Sequence, residues 1–263
     1  MQLPVIRGRI DRRLLINYRA SPEIVRSLLP RPFHPQLVGG HAIVGLCLIR
    51  LQQVRPAGWP AWLGIGSENA AHRIAIEWLE QDKLRTGVYI FRRDTSSTLN
   101  AWAGGRIFPG CHHRSAFAVQ EGSERWQVGL ASSDRSTRVS VEAREGHSWP
   151  GDSVFASLAE ASRFFECSPC GFSPAAGSEG RCEVLELRCQ TWQAEPLLLD
   201  CVRSSYFDDE RIFPPGEIAL DSGLIMRGIE HEWHDLGTLA TTQARGGYAT
   251  AASSSGRHAV TTS

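Results

Sequence analysis

Short apolar segments that alternate with polar residues recur along most of this chain of 263 residues. Each ends at Gly, Pro, Asp or Ser, a pattern typical of β-strands joined by turns. So many strands in succession favour antiparallel hairpins in a sheet large enough to curl into a barrel or cone. The segments predicted as strands are 42–51, 72–78, 87–92, 115–119, 126–130, 182–188, 197–205 and 218–227.

Two segments have helical periodicity instead. In residues 21–30, a serine can cap a helix, and prolines stand at its first position and just beyond its end. Residues 152–165 place apolar side chains on one helical face, with Asp152 or Ser153 as the expected cap. The predicted fold class is therefore mainly β, within α+β, with a few short helices.

Length and composition indicate one globular domain. The chain is 42% hydrophobic and 21% charged, and its length suits one large β domain. After Thr242 it becomes rich in Ala, Gly, Ser and Thr without apolar periodicity, which is typical of a disordered tail. We predict a single barrel domain over residues 1–242 and a disordered tail over residues 243–263.

Charge and targeting signals narrow the partners and the compartment. Lys plus Arg and Asp plus Glu number 28 each, so the net charge predicts neither nucleic acid nor a membrane as a partner. No apolar run is long enough to cross a bilayer, and the N-terminus lacks a signal-peptide core, so we expect a cytoplasmic protein. The oligomeric state is left open, with a homo-oligomer as one alternative.

The cysteines and the missing nucleotide motifs predict a protein without cofactor or metal. Seven cysteines at irregular spacing favour reduced thiols over disulfides. Cys167 and Cys170 have CxxC spacing, but they follow a predicted helix, whereas a redox pair normally opens one. Their gaps to Cys182 and Cys189 match no compact zinc ribbon well. No phosphate-binding loop or dinucleotide fingerprint is present.

An arginine pair ends one apolar strand, in the segment from Gly87 to Ser97. Arg92 and Arg93 could hold the carboxylate or phosphate of a ligand bidentately. Equally, an arginine could form an ion pair with Asp94 that only closes a turn. Because neighbouring residues on a strand face opposite sides, one arginine is expected to point inward.

Histidines suggest proton transfer in two further segments. His112 and His113 follow a Gly- and Pro-interrupted stretch that contains Arg106, and at most one of them should point inward. Glu68 and His72 could form an acid–base pair if both reach a cavity. The structural alternatives are one core and one surface histidine, and turn hydrogen bonds at Glu68.

Near the end of the chain, His231, Glu232 and His234 resemble a metal site superficially. Zinc-binding histidines on a helix stand four residues apart, whereas these stand three apart in an expected strand or turn. A metal-dependent hydrolase or lyase would need His112 or His113 to converge on them.

Several separated blocks together resemble the uncharacterised bacterial YqjF-like family of the acetoacetate decarboxylase-like superfamily, over roughly residues 8–237. The blocks are 12–18, 67–73, 87–97, 105–109 and 222–234. The resemblance implies a cone-shaped antiparallel barrel around a small-molecule cavity. In the wider superfamily, a lysine after a Gly-Arg hairpin forms a Schiff base with a β-keto acid.

This sequence departs from the superfamily at that lysine. Gly105 and Arg106 match the hairpin opening, but the lysine position falls at about His112 or His113, and Lys83 is the only lysine. Imidazole cannot form the imine that a desolvated lysine forms with a ketone.

Three functions follow as alternatives. The first is a lysine-independent enzyme that binds a small carboxylate or carbonyl compound through Arg92, Arg93, Asp94 or Arg106, with Glu68, His72, His112 or His113 for proton transfer. The second is a ligand-binding barrel without catalysis. The third is the metal-dependent enzyme.

Overall fold

The structure is a computed structural model that describes residues 4–103 and 110–242. The strands in these ranges are β1 (Ile6–Ala20), β2 (His34–Pro35), β3 (Leu37–Val38), β4 (His41–Pro56), β5 (Ile65–Glu80), β6 (Lys83–Thr95), β7 (His112–Glu121), β8 (Arg125–Ser132), β9 (Arg138–Glu145), β10 (Cys170–Pro174), β11 (Arg181–Cys189), β12 (Glu195–Ser204) and β13 (Ile218–Ala240). The helices are α1 (Pro22–Leu28), α2 (Thr98–Ala103) and α3 (Leu158–Glu166). The predicted tail, residues 243–263, lies outside the described residues, as does Arg106.

The strands form one curved sheet that closes on itself. Five strands, in the order β13-β1-β4-β5-β6, make a wall. On one side, β10 pairs with β6 and β11 pairs with β13, which closes a ring of seven strands. On the other, β7-β8-β9-β12 also connects β6 to β13. Pairing is antiparallel except where β6 meets β7 and β10. The predicted mainly β, closed fold is confirmed.

Alternation along the wall strands gives each face its own core. Leu14 and Ile16 of β1 pack with side chains of β8 and β9, while Leu15 packs on the opposite face with Phe155 and Phe165. Because consecutive side chains of a strand point to opposite faces, β1, β4, β5 and β13 supply residues to both clusters. The wall is therefore buried on both sides, which explains its long apolar strands.

The predicted helices are partly corrected. Helix α1 is confirmed, although the hydroxyl of Ser21 donates to Glu23 instead of capping a backbone N–H. The second predicted helix corresponds to α3, which begins only at Leu158 and not near Asp152. Its N-cap is Ser157, whose hydroxyl accepts from the N–H of Glu160. The prediction failed because Ser153 donates to Asp221, which holds the preceding residues in turns.

Gly45 of β4 offers a test of the packing within the wall. A Cβ atom there would overlap the backbone oxygen of Ile16 on β1. At Gly129 of β8, the nearest atom to an added Cβ is the oxygen of Ala118 at 3.6 Å, an ordinary contact. We expect Gly45→Ala to lower the free energy of unfolding by about 2 kcal/mol, as overpacking does. Gly129→Ala should change it by less than about 1 kcal/mol. Equal urea midpoints for the two variants would contradict this packing.

Candidate functional site

A cavity of about 350 Å³ lies within the seven-stranded ring. All seven strands contribute lining residues, and α3 covers part of it with Phe165. Much of the lining is apolar, with Ile49, Ile90, Leu187 and Trp192 among its members. Guanidinium groups from three arginines and one imidazole interrupt this apolar surface. The ring closure by β10 and β11 thus encloses a small space whose lining carries three guanidinium groups and the two carboxylates of Asp94 and Glu166.

Arg93 is the predicted arginine that borders this cavity. Its Nε donates to the hydroxyl of Ser173 at 3.0 Å. Burial lowers its pKa to about 10, although Cys47 and Glu183 oppose that effect, so it stays cationic at neutral pH. Within residues 4–103 and 110–242, no carboxylate stands at ion-pair distance from its guanidinium. Among these residues, its hydrogen-bond partner is the neutral hydroxyl of Ser173.

Two cavity arginines, Arg13 and Arg73, were missed by the sequence analysis. The Nη2 of Arg73 donates to the side chain of Asn17, but its Nε and Nη1 have no partner among the described residues. Burial lowers the pKa of Arg73 to about 10. The guanidinium of Arg73 stands 4.5 Å from the ring centre of Phe165, and that of Arg13 stands 5.5 Å from that of Trp192. Both contacts favour the charged form and orient it.

His112 also borders the cavity. Its Nδ1 lies 3.1 Å from the backbone oxygen of Gly110, and that oxygen can only accept. Nδ1 must therefore carry the proton, which leaves Nε2 as the acceptor of a neutral ring. Burial, with Arg93 nearby, lowers the pKa of His112 to about 4. The imidazole is consequently neutral near pH 7 and able to accept a proton or a hydrogen bond.

Four residues of the cavity wall lie in one row across adjacent strands. Cys47 of β4 is opposite Ala71 of β5, Ala71 is opposite Arg93 of β6, and Arg93 is opposite His112 of β7. Ala71 is the smallest of them, so the row holds open space at its centre between a thiol and a guanidinium. The Nε of Arg13 donates to the sulfur of Cys47 at 3.4 Å.

The other predicted residues of the arginine segment lie in an ion-pair cluster. Arg92 donates from Nε and Nη2 to the two carboxylate oxygens of Asp94, both at 2.9 Å. Asp94 is fully buried, and one of its oxygens also accepts from Ser115 at 2.8 Å. Arg92 and His113 both contact Asp134. Asp94 borders the cavity, but its charge is already compensated by Arg92.

Glu68 and His72 do not form the predicted acid–base pair. Glu68 accepts from Arg12 at 2.6 Å and from Arg50 at 2.5 Å in a network of ion pairs. His72 is fully buried among aromatic rings, with the ring centre of Phe91 at 5.7 Å. Burial lowers the pKa of His72 to about 4. Both residues are on the strand face opposite Arg73 and Ala71, because neighbouring side chains of a strand point to opposite faces, and neither of them lines the cavity.

The metal-site alternative gains no support from the described part of the chain. No group of three His, Cys, Asp or Glu side chains in residues 4–103 and 110–242 is arranged to hold a metal ion. His231 is buried beside Trp233, with ring centres 4.5 Å apart. Glu232 and His234 instead bond each other at 2.9 Å, and Glu232 also pairs with Arg7.

Comparison with known proteins identifies the family. The model of the DUF2071 family, described as an uncharacterized conserved protein, matches residues 8–217. The chain belongs to this family. The match confirms the resemblance drawn from the sequence blocks. No curated protein matches the chain in sequence.

Solved structures similar to this chain are acetoacetate decarboxylase-like proteins. Acetoacetate decarboxylase from Legionella pneumophila subsp. pneumophila str. Philadelphia 1 is 10% identical, with a TM-score of 0.59 over 91% of this chain and 88% of that one. The enduracididine biosynthesis enzyme MppR, solved with pyruvate, is 13% identical, with a TM-score of 0.55 over 92% of each chain. An acetoacetate decarboxylase-like enzyme from Sphingomonas wittichii RW1 is 14% identical, with a TM-score of 0.55 over 92% and 94%. At these identities the likeness shows the fold alone.

Among the described residues, no helix has both the length and the apolar character needed to cross a bilayer.

The two neighbouring arginines should respond differently to removal. Arg92→Ala leaves the buried carboxylate of Asp94 without its cation, and we expect the free energy of unfolding to fall by about 3 to 5 kcal/mol. Arg93→Ala removes a buried cation that pairs with no carboxylate in residues 4–103 and 110–242, so the change should stay within about 1 kcal/mol. Chemical denaturation of both variants measures the contrast. A larger loss in Arg93→Ala than in Arg92→Ala would contradict these assignments.

Proposed function

We propose that this protein binds a small oxo acid in the ring cavity and that Arg93 holds the carboxylate of the acid. The contrast between Arg92 and Arg93 carries the proposal. Arg92 is neutralised by Asp94, whereas Arg93 is desolvated at the cavity, and no carboxylate of the described residues pairs with its guanidinium. A buried cation without a counter-charge is costly, and an anionic ligand offsets that cost. A bidentate pair with a carboxylate suits its planar guanidinium.

Size and lining support a small ligand. A volume of about 350 Å³ is near the lower end of the range, about 300 to 1,000 Å³, that small-molecule pockets occupy. The apolar side chains would contact the carbon skeleton. Arg13 and Arg73 add positive charge at the same cavity, which favours an anion over a neutral compound.

His112 supports chemistry in addition to binding. Holding a carboxylate requires cations and hydrogen-bond donors, but it requires no neutral imidazole with an acceptor nitrogen. The hydrogen bond to Gly110 fixes the tautomer that leaves Nε2 unprotonated, as a general base or an acceptor for a hydroxyl needs. This residue favours a lysine-independent enzyme over a barrel that only binds.

The relatives support an oxo acid as the ligand class. One fold neighbour was solved with pyruvate, and another is an acetoacetate decarboxylase. The only lysine here, Lys83, is exposed at the start of β6 beside the turn that links it to β5, and it is not among the cavity-lining residues. We therefore propose that the cavity retains recognition of an acid while its chemistry proceeds without an imine.

Binding of pyruvate, measured by calorimetry, tests the role of Arg93. We expect Arg93→Ala to weaken binding by about 2 kcal/mol or more, which is roughly 30-fold, because a charge-assisted pair is lost. Arg93→Lys should retain part of the affinity, since lysine keeps the charge but not the fork. Ala71→Leu should also block binding, because leucine fills the centre of the row without changing any charge.

Arg114 provides the matched control for that experiment. It is an exposed arginine on β7, two residues after His112. Arg114→Ala should bind pyruvate as the wild type does. Equal losses in Arg114→Ala and Arg93→Ala would indicate a general charge effect, and full affinity in Arg93→Ala would overturn the proposed site.

Borohydride reduction tests the absence of an imine. With acetoacetate or pyruvate present, we expect no reduced adduct on the intact protein, because the sole lysine is exposed at the start of β6 and does not line the cavity. Mass spectrometry of the treated protein makes the measurement. A lysine adduct formed in proportion to the bound acid would contradict the lysine-independent part of the proposal.

A further inference from the structure

We propose that Cys47 is a nucleophile of the cavity, whose sulfur adds reversibly to the carbonyl carbon of a bound oxo acid. This inference rests on the proposed function, because the acid must first be held by Arg93. In this proposal a thiol takes the role of covalent nucleophile, for which the cavity has no lysine amine.

Three cysteines border the cavity, and Cys47 differs from the other two in its neighbours. Its sulfur accepts a hydrogen bond from the Nε of Arg13. Arg73 and Arg93 line the same cavity, so the thiol shares it with three guanidinium groups. Burial raises the pKa of Cys170 and of Cys189, which makes them poorer nucleophiles.

The row across the wall sets a suitable distance. Cys47 and Arg93 face the same residue, Ala71, from the strands on either side. Strands stand about 4.8 Å apart, so two spacings separate the Cα atoms of Cys47 and Arg93 by roughly 10 Å. The arginine side chain takes up part of that span. The remainder suits an acid whose carbonyl is next to its carboxylate.

A second observation points independently to a ligand at this place. Arg73 is only 3% exposed, and two of its guanidinium nitrogens have no hydrogen-bond partner among the described residues. Nη1 of Arg13 is also buried without a hydrogen-bond partner among the described residues. Buried donors are normally satisfied, so this part of the cavity has the unmet hydrogen-bonding capacity that an anion or a polarised oxygen would use.

The covalent step is balanced without another reactant. The sulfur–carbon bond forms while the π pair of the carbonyl moves to its oxygen, and the thiol proton ends on that oxygen. The product is a thiohemiketal, with no change in oxidation state. Its new hydroxyl can donate to the unprotonated Nε2 of His112, the last residue of the row.

Charge-selective alkylation tests the nucleophile. Iodoacetate and iodoacetamide react alike by displacement of iodide, but only iodoacetate carries a carboxylate for Arg93. We expect the ratio of the iodoacetate rate to the iodoacetamide rate to be at least ten-fold higher at Cys47 than at exposed Cys201, measured by peptide mass spectrometry. In Arg93→Gln, the ratio at Cys47 should fall to that of Cys201. Equal ratios in the wild type, or faster alkylation of Cys170 or Cys189, would overturn the proposal.

The adduct itself is measured with pyruvate labelled by ¹³C at the carbonyl. We expect the bound acid to give the ¹³C resonance of a tetrahedral carbon, and we expect this resonance to be absent with Cys47→Ser. The hydrate of pyruvate in solution also has a tetrahedral carbon, but its resonance does not depend on Cys47. Propionate, a carboxylate without the keto group, serves as the comparison ligand. If both acids bind and the labelled pyruvate gives only a trigonal carbonyl resonance, thiol addition is overturned and the proposed function is kept. Binding of neither acid would overturn both.

Discussion

The pairing of β11 with the C-terminal half of β13 is the contact on which the cavity depends. Strand β13 is long enough to pair with β12 near its start and with β11 near its end. Strand β6 divides its outer edge in the same way between β10 and β7. The sheet can therefore close twice on one shared wall. One closure surrounds aromatic and aliphatic side chains, and the other leaves a cavity beside three arginines.

Strand alternation then sorts the charges between the two faces of the wall. On β6, Arg92 meets the buried Asp94 in a pair that satisfies both charges, while Arg93 meets the hydroxyl of Ser173 and, in the part of the chain that the structure describes, no carboxylate. On β5, Glu68 joins an ion-pair network and Arg73 does not. Adjacent residues of one type thus serve stability on one face and leave binding capacity on the other, because a strand gives neighbours opposite environments.

The sequence predicted the elements better than it predicted their extents or the site. Apolar alternation located β4, β5, β6 and β13 of the wall but missed β1 (Ile6–Ala20). Strand β4 also continues beyond the predicted 42–51 to Pro56, because backbone pairing persists where side chains leave the core. Of the residues proposed for the site, Arg93, Asp94 and His112 border the cavity, and Asp94 is already paired with Arg92. Which member of each adjacent pair points inward could not be deduced, because β5 and β6 have a register shift between His72 and Arg73. One sequence signal could have identified the missed site residues, namely a polar or reactive residue within an otherwise apolar strand. It is present at Arg13, Arg73 and Cys47.

The cluster of unpaired arginines has a consequence for the free protein. Burial lowers the pKa of both Arg73 and Arg93 to about 10, yet both remain charged at neutral pH, so the fold retains the cost of desolvating two cations. Stacking on Phe165 and hydrogen bonds to Asn17 and Ser173 offset part of that cost. A bound anion offsets more, because it supplies the missing negative charge in a place that excludes water. Ligand binding and folding stability are therefore coupled through the same guanidinium groups, and the fold tolerates their mutual repulsion because the ring closure holds the wall independently of them.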